Sequence, residues 1–158
     1  MQVLVGCFSK SGDTRALAEA VADGVREVEG VACVLKDVSA IVGDDFLESG
    51  GVILGSPVYL GTLAAELKAM IDRLPTRKVM ENKICAVFAT SRDSTGGKGT
   101  TIFSILQAML LYGMVVVGDP FLARHYGAAC AGAPDERAKD QGRKLGRRVA
   151  ELVKRLAG

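Results

Sequence analysis

The feature that most restricts this chain is a regular alternation. Short runs of almost continuous apolar residues are separated by segments whose apolar residues recur every three or four positions. Val3 to Phe8, Val31 to Val38, Val52 to Gly55, Ile84 to Ala89 and Met114 to Val117 read as strands. Asp13 to Val28 carries Leu17, Val21, Val25 and Val28 at helical spacing and stops at Gly30. Leu63, Leu67, Ile71 and Leu74 mark a second helix, stopped by Pro75. Thr100 to Leu111 is a strongly apolar helix ended at Gly113, and Leu145, Val149, Leu152 and Leu156 define the last one. Val38 to Phe46 is weakly patterned, a short helix or a loop, and Phe121 to Pro134 has little periodicity. Strands apolar on both sides, alternating with helices, predict a parallel sheet covered on both faces. The expected fold is one doubly wound α/β domain over residues 1–158, with five parallel strands in the order 2-1-3-4-5. Ligands of such sheets gather beyond the carboxyl ends of the strands, at the switch point. Attention therefore falls on the loops after strands one, three and four.

Composition narrows the function. The formal net charge of +2 argues against a dedicated nucleic-acid binder. Residues 135–158 hold eight Lys/Arg against four Asp/Glu, which reads as a solvated basic helix face. The four cysteines, Cys7, Cys33, Cys85 and Cys130, form no CxxC pair and no metal-ligand spacing. Three of them sit in apolar runs, where a free thiol packs as a small hydrophobe, a usage suited to a reducing cytoplasm. Met1 leads straight into a strand-like run, so no leader is expected, and no apolar stretch is long enough for a membrane span.

The first loop is Ser9, Lys10, Ser11, Gly12, Asp13 and Thr14. Three hydroxyls, a glycine and a helix start converge there, and free amides at a helix start bind anions. The same residues also suit an ordinary helix cap, by Ser11 or Asp13. An Asp13 carboxylate beside a dianion must turn to solvent or cap its own helix. The second loop, Gly55 to Thr62, holds Ser56, Pro57, Val58, Tyr59, Leu60 and Gly61. Pro57 biases Ser56 toward extended backbone, and Tyr59 offers a face for a planar ring. The third loop, Thr90 to Gly99, is polar and glycine-rich, with Ser91, Arg92, Asp93, Ser94, Thr95 and Gly96. It suits backbone donation to the polar edge of a ring, or a simple surface connection. Three polar, glycine-bearing loops at one end of a sheet are stronger evidence than any one of them.

Ser9-x-Ser11-Gly12-x-Thr14 resembles the phosphate-wrapping loop of flavodoxins and lacks the Gly-Lys-Ser/Thr end of a nucleotide P-loop. The resemblance covers nearly the whole chain and implies a flavodoxin-like fold with FMN bound at the three loops. Within that superfamily the chain is similar to the tryptophan-repressor-binding-protein type of NAD(P)H:quinone oxidoreductases. The matching features are Gly55-x-Pro57 through Gly61, Ser91 to Gly97 followed by Thr101, Gly113-Met114-Val115 and Tyr126-Gly127-Ala128. Two features differ. Tyr112 stands where that branch has a flavin-contacting His, and only Pro75 to Lys83 replaces a longer insertion that carries a substrate-contacting aromatic.

The resemblance implies an FMN-dependent enzyme in which NADH or NADPH gives hydride to the flavin and a quinone or similar acceptor takes two electrons. Two-electron transfer needs no obligatory acid or base, so no catalytic side chain is assigned. His125, the only histidine, is expected to be a surface or hydrogen-bonded residue. Tyr59, Tyr112 and Tyr126 are candidates for lining the ring. The alternative is a flavodoxin serving as a protein electron carrier. Such carriers are usually strongly acidic, and a pI near 8.4 opposes this. A receiver-like signalling module lacks support, since Ser9 and Lys10 stand where acidic magnesium ligands belong. A homodimer or homotetramer, with the site completed across an interface, is implied by the same resemblance.

Overall fold

The computed structural model describes residues 1–119 and 126–158. Its strands are β1 (Gln2–Cys7), β2 (Ala32–Asp37), β3 (Gly51–Tyr59), β4 (Thr62–Leu63), β5 (Ile84–Ser91), β6 (Val115–Val116) and β7 (Ala128–Ala131). The helices are α1 (Asp13–Arg26), α2 (Gly43–Glu48), α3 (Ala65–Ile71), α4 (Arg77–Met80), α5 (Lys98–Leu111) and α6 (Glu136–Ala157). The strand order is β2-β1-β3-β5-β6, parallel throughout, which is the expected doubly wound order. The apolar alternation is the cause. Val3, Val5, Ile53, Ala86 and Phe88 face α1 and α6. Leu4, Val52, Leu54, Cys85 and Val87 face α3, α4 and α5.

Three departures from the sequence reading bear on the site. Strand three runs on through Pro57 and Val58 to Tyr59, then folds back antiparallel, with Val58 opposite Leu63 and Tyr59 opposite Thr62. The second loop is thus the tip of a hairpin. Pro57 is tolerated because it ends the ladder with β5, opposite Thr90, where a missing amide costs least. Strand four extends to Ser91, so that residue belongs to the sheet. The fifth position is split: β6 pairs with Ile84 and Cys85, and β7 pairs with Phe88 to Ser91. Its second half, Ala-Ala-Cys-Ala, is too short and too small in side chain to announce itself as a strand. The weak region after strand two folds as a 3-10 turn, Val38–Ala40, followed by α2. The short segment before strand four holds α4.

Close packing depends on glycines. A Cβ on Gly55 would lie 2.0 Å from the Phe88 ring, so the fully buried phenyl occupies the space a side chain would need. Helices α1 and α6 approach through Gly24 and Gly146, where a Cβ would lie 1.9 Å from a backbone oxygen of the other helix.

Candidate functional site

The first loop leaves β1 and enters α1 through Gly12, the residue that caps the helix. Gly12 has φ 101° and no side chain bonds the helix start as a cap. This corrects the expectation that Ser11 or Asp13 caps. Ser9 Oγ accepts the Arg15 N–H at 3.1 Å, and Asp13 accepts the Ser11 hydroxyl at 3.3 Å. The amides of Asp13 and Thr14 therefore lie at a first turn with no intrahelical acceptor, the usual condition for binding an anion. Thr14 is buried, and its hydroxyl lies 2.7 Å from that of Thr90 at the end of β5. This bond ties the first loop to the third.

The second loop is held from below. Ser56 Oγ donates to the Pro57 carbonyl at 2.8 Å and accepts the Ala64 N–H at 2.9 Å. At the tip, Leu60 and Gly61 have φ 49° and 82°, and Leu60 is fully exposed. Tyr59 is partly exposed and meets the Phe8 ring edge-on at 6.3 Å. Thr100 Oγ1 donates to the Gly61 carbonyl at 2.6 Å, joining the hairpin to the start of α5. The third loop is braced internally. Ser91 Oγ donates to the Asp93 carbonyl at 2.6 Å, and Lys98 Nζ donates to Ser91 Oγ at 3.2 Å and the Ser94 carbonyl at 2.9 Å. Arg92, Asp93, Ser94 and Thr95 are exposed, and Gly96 is half-buried.

The three loops therefore form one continuous rim at the carboxyl edge of the sheet. Lys10 stands exposed on the first of them, and Val58 packs under the third, close to Gly97. Tyr112 is the exception. It follows the C-terminal end of α5, whose 14 residues span roughly 20 Å, so it sits at the opposite edge. There it packs on the apolar cluster with Met109 and Met114. It therefore lies away from the rim of its own chain. Tyr126 lies beside α5, with its ring 4.3 Å from Phe103, and His125 lies outside the described residues.

The rim suits a phosphate joined to a planar ring. Gly12 and Gly61 both have open space where a Cβ would project, so the backbone can be approached closely at each. Thr101 Oγ1, in the first turn of α5, is buried with no partner among the described residues. Reactive thiols are absent from the vicinity. Burial pushes the Cys130 thiol up to about 11, with Asp13 and Asp135 adding to the effect, so it stays protonated. Among the described residues no group of His, Cys, Asp and Glu is arranged to hold a metal.

Residues 1–129 match the NADPH-dependent FMN reductase family. The chain belongs to this family. It is an oxidoreductase of flavodoxin-like fold, with FMN and NAD(P)H as its cofactors. It is 35% identical over 161 residues to a flavodoxin of Aquifex aeolicus, covering 96% of this chain and 86% of that protein. It is 31% identical over 189 residues to an NAD(P)H dehydrogenase (quinone) of Archaeoglobus fulgidus, covering 98% of each. A flavodoxin, WrbA-like protein from Agrobacterium tumefaciens superposes with a TM-score of 0.83 at 21% identity, over 98% of each chain, a likeness of fold. These relatives agree with the superfamily and branch read from the motifs. No helix among the described residues is long and apolar enough to cross a membrane.

Proposed function

We propose that the rim holds FMN and that the protein passes two electrons from NAD(P)H to a quinone or similar small acceptor. The observation that carries this reading is the start of α1, where Gly12 opens the backbone, the amides of Asp13 and Thr14 take no side-chain cap, and Thr14 is bonded to the third loop. The phosphate rests on the amides of Gly12, Asp13 and Thr14, with the Ser9 and Ser11 hydroxyls around it and the Lys10 charge nearby. Pro57, Val58, Tyr59, Leu60 and Gly61 form the wall against one face of the ring. Backbone groups of Ser91, Arg92, Asp93, Ser94, Thr95 and Gly96 meet its polar edge. FMN held there would supply the two-electron redox chemistry that links donor and acceptor. The protein's part is to hold the ring and limit its access to water.

The Archaeoglobus relative, named for quinone, supports the acceptor class. The Aquifex relative, named flavodoxin, supports the carrier as the second reading. The formal net charge of +2 weighs against the carrier. We also propose a homodimer or homotetramer, since α5 leaves Phe103, Leu110 and Leu111 exposed beside Val115. Free cysteines throughout fit a reducing cytoplasm.

The test is an absorbance spectrum, a fluorescence titration of flavin-free protein with FMN, and an NADH or NADPH assay with benzoquinone. Quenching of FMN fluorescence and turnover above that of free FMN are expected. Bound flavin without turnover would favour the carrier, and a colourless protein that leaves FMN fluorescence unchanged would sink both readings.

A further inference from the structure

Beside the flavin rim lies a second concavity that the roles above do not use. It is a groove of about 330 Å³ between the turn after β2 and helix α3. That volume is at the lower end of the range for small-molecule sites, roughly 300–1,000 Å³. Phe8 and Val38 provide an apolar floor, and Asp37, Ser39, Glu66 and Arg73 stand around it. Phe8 is also a wall shared with the rim, because its other contact is the ring of Tyr59.

The polar groups are two carboxylates that can accept from hydroxyls, Asp37 and Glu66, the Ser39 hydroxyl, and one cation, Arg73. Asp37 ends β2, and its Oδ1 accepts both the Ser39 N–H at 2.9 Å and the Ser39 hydroxyl at 2.7 Å. Those two bonds fix the carboxylate and leave Oδ2 without a bond among the described residues. Arg73 is exposed and makes no ion pair among the described residues. An aromatic floor, a fixed carboxylate with a spare oxygen and a free guanidinium match a flat base, a ribose diol and a phosphate respectively.

We propose that this groove is the subsite for the adenosine 5′-phosphate half of the nicotinamide donor. The base lies on Phe8 and Val38, the ribose hydroxyls donate to Asp37 and the phosphate pairs with Arg73. The proposal rests on the reading of the protein as an NAD(P)H-dependent flavoprotein. It adds a place for the donor's non-reacting half.

Binding of 5′-AMP to flavin-free protein is the first measurement, by calorimetry. Saturable binding is expected, weakened at least tenfold by Asp37→Asn and by Arg73→Ala. Asp37→Asn keeps the acceptor that Ser39 uses, so the turn should survive. In the FMN-loaded protein both variants should raise KM for NADH while the FMN dissociation constant, read by fluorescence quenching, stays unchanged. Asp37→Asn should also shift kcat/KM toward NADPH relative to the parent, because a 2′-phosphate no longer faces a carboxylate. If the parent binds FMN and oxidises NADH but 5′-AMP does not bind, or both variants retain parental KM, the groove proposal is overturned and the flavin reading stands. Loss of FMN binding in the parent would instead overturn the reading beneath it, and 5′-AMP calorimetry would still decide the groove.

Discussion

Leu60 is an apolar side chain in full solvent, held at a φ of 49° where most residues pay for the left-handed backbone. Tight turns with positive φ at both central residues favour Asn-Gly, and here the pair is Leu60-Gly61. Leu60→Asn should therefore stabilise flavin-free protein, by up to about 1 kcal/mol in a urea titration. It should also weaken FMN roughly tenfold, through loss of an apolar contact with the ring. A variant that is less stable and binds FMN as tightly as the parent would refute the role given to this side chain. Gly12 offers the complementary case. No atom lies near a Cβ placed there, so Gly12→Ala tests backbone strain alone at φ 101°. The expected cost is about 1–2 kcal/mol of unfolding free energy in a urea titration. The hydroxyl–Gly–Thr spacing of the first loop was legible because it is local chemistry. The Thr14–Thr90 bond was not, because it joins residues 76 positions apart and only the folded sheet brings them together.

At the scale of elements, the contact between α1 and α6 and the salt bridge under α2 yield separate predictions. Gly146→Ala would drive a methyl group into the Val21 carbonyl of α1, a rigid neighbour that cannot rotate away. A loss of about 3 kcal/mol is expected in chemical denaturation, with little change in FMN affinity once folded. Asp45 anchors α2 to β2 through Lys36 Nζ at 2.6 Å and accepts the Val42 N–H at 2.8 Å. Burial pushes its carboxyl up, but those bonds and the Lys36 charge outweigh burial and hold it below its ordinary value. A depressed carboxyl contributes stability above its unfolded value near 3.8, and loses it as pH falls through the folded one. The gap in Tm between parent and Asp45→Asn should be full at pH 7 and close in the acid range. The long elements were legible from pattern, α5 from its strongly apolar composition and β5 from ICAVFA. Strand extension through Ser56 to Tyr59 was not. Pro57 reads as a turn, and the hairpin is set by the non-local Ser56–Ala64 bond and the ladder with Thr90. The place of Tyr112 at the far end of α5, away from its own chain's loops, was not legible in the Gly-Met-Val motif.

For the whole molecule, a ligand that binds only the folded rim must raise the unfolding temperature. FMN at a hundred times its dissociation constant contributes about 2.7 kcal/mol, which for a chain of this size is about 5–10 °C in Tm. Differential scanning fluorimetry of flavin-free protein with and without FMN measures it, and no rise at saturation would contradict binding at the folded rim. The split fifth strand has a consequence of a different kind. That flank of the sheet consists of a two-residue piece and a four-residue piece. Neither is long enough to template the addition of a foreign strand, and the opposite flank, β2, carries Lys36 and Asp37. A protein whose central strands are among its most apolar segments thus gives misfolded neighbours little continuous backbone to zip onto, and its native form should resist fibrous growth at high concentration.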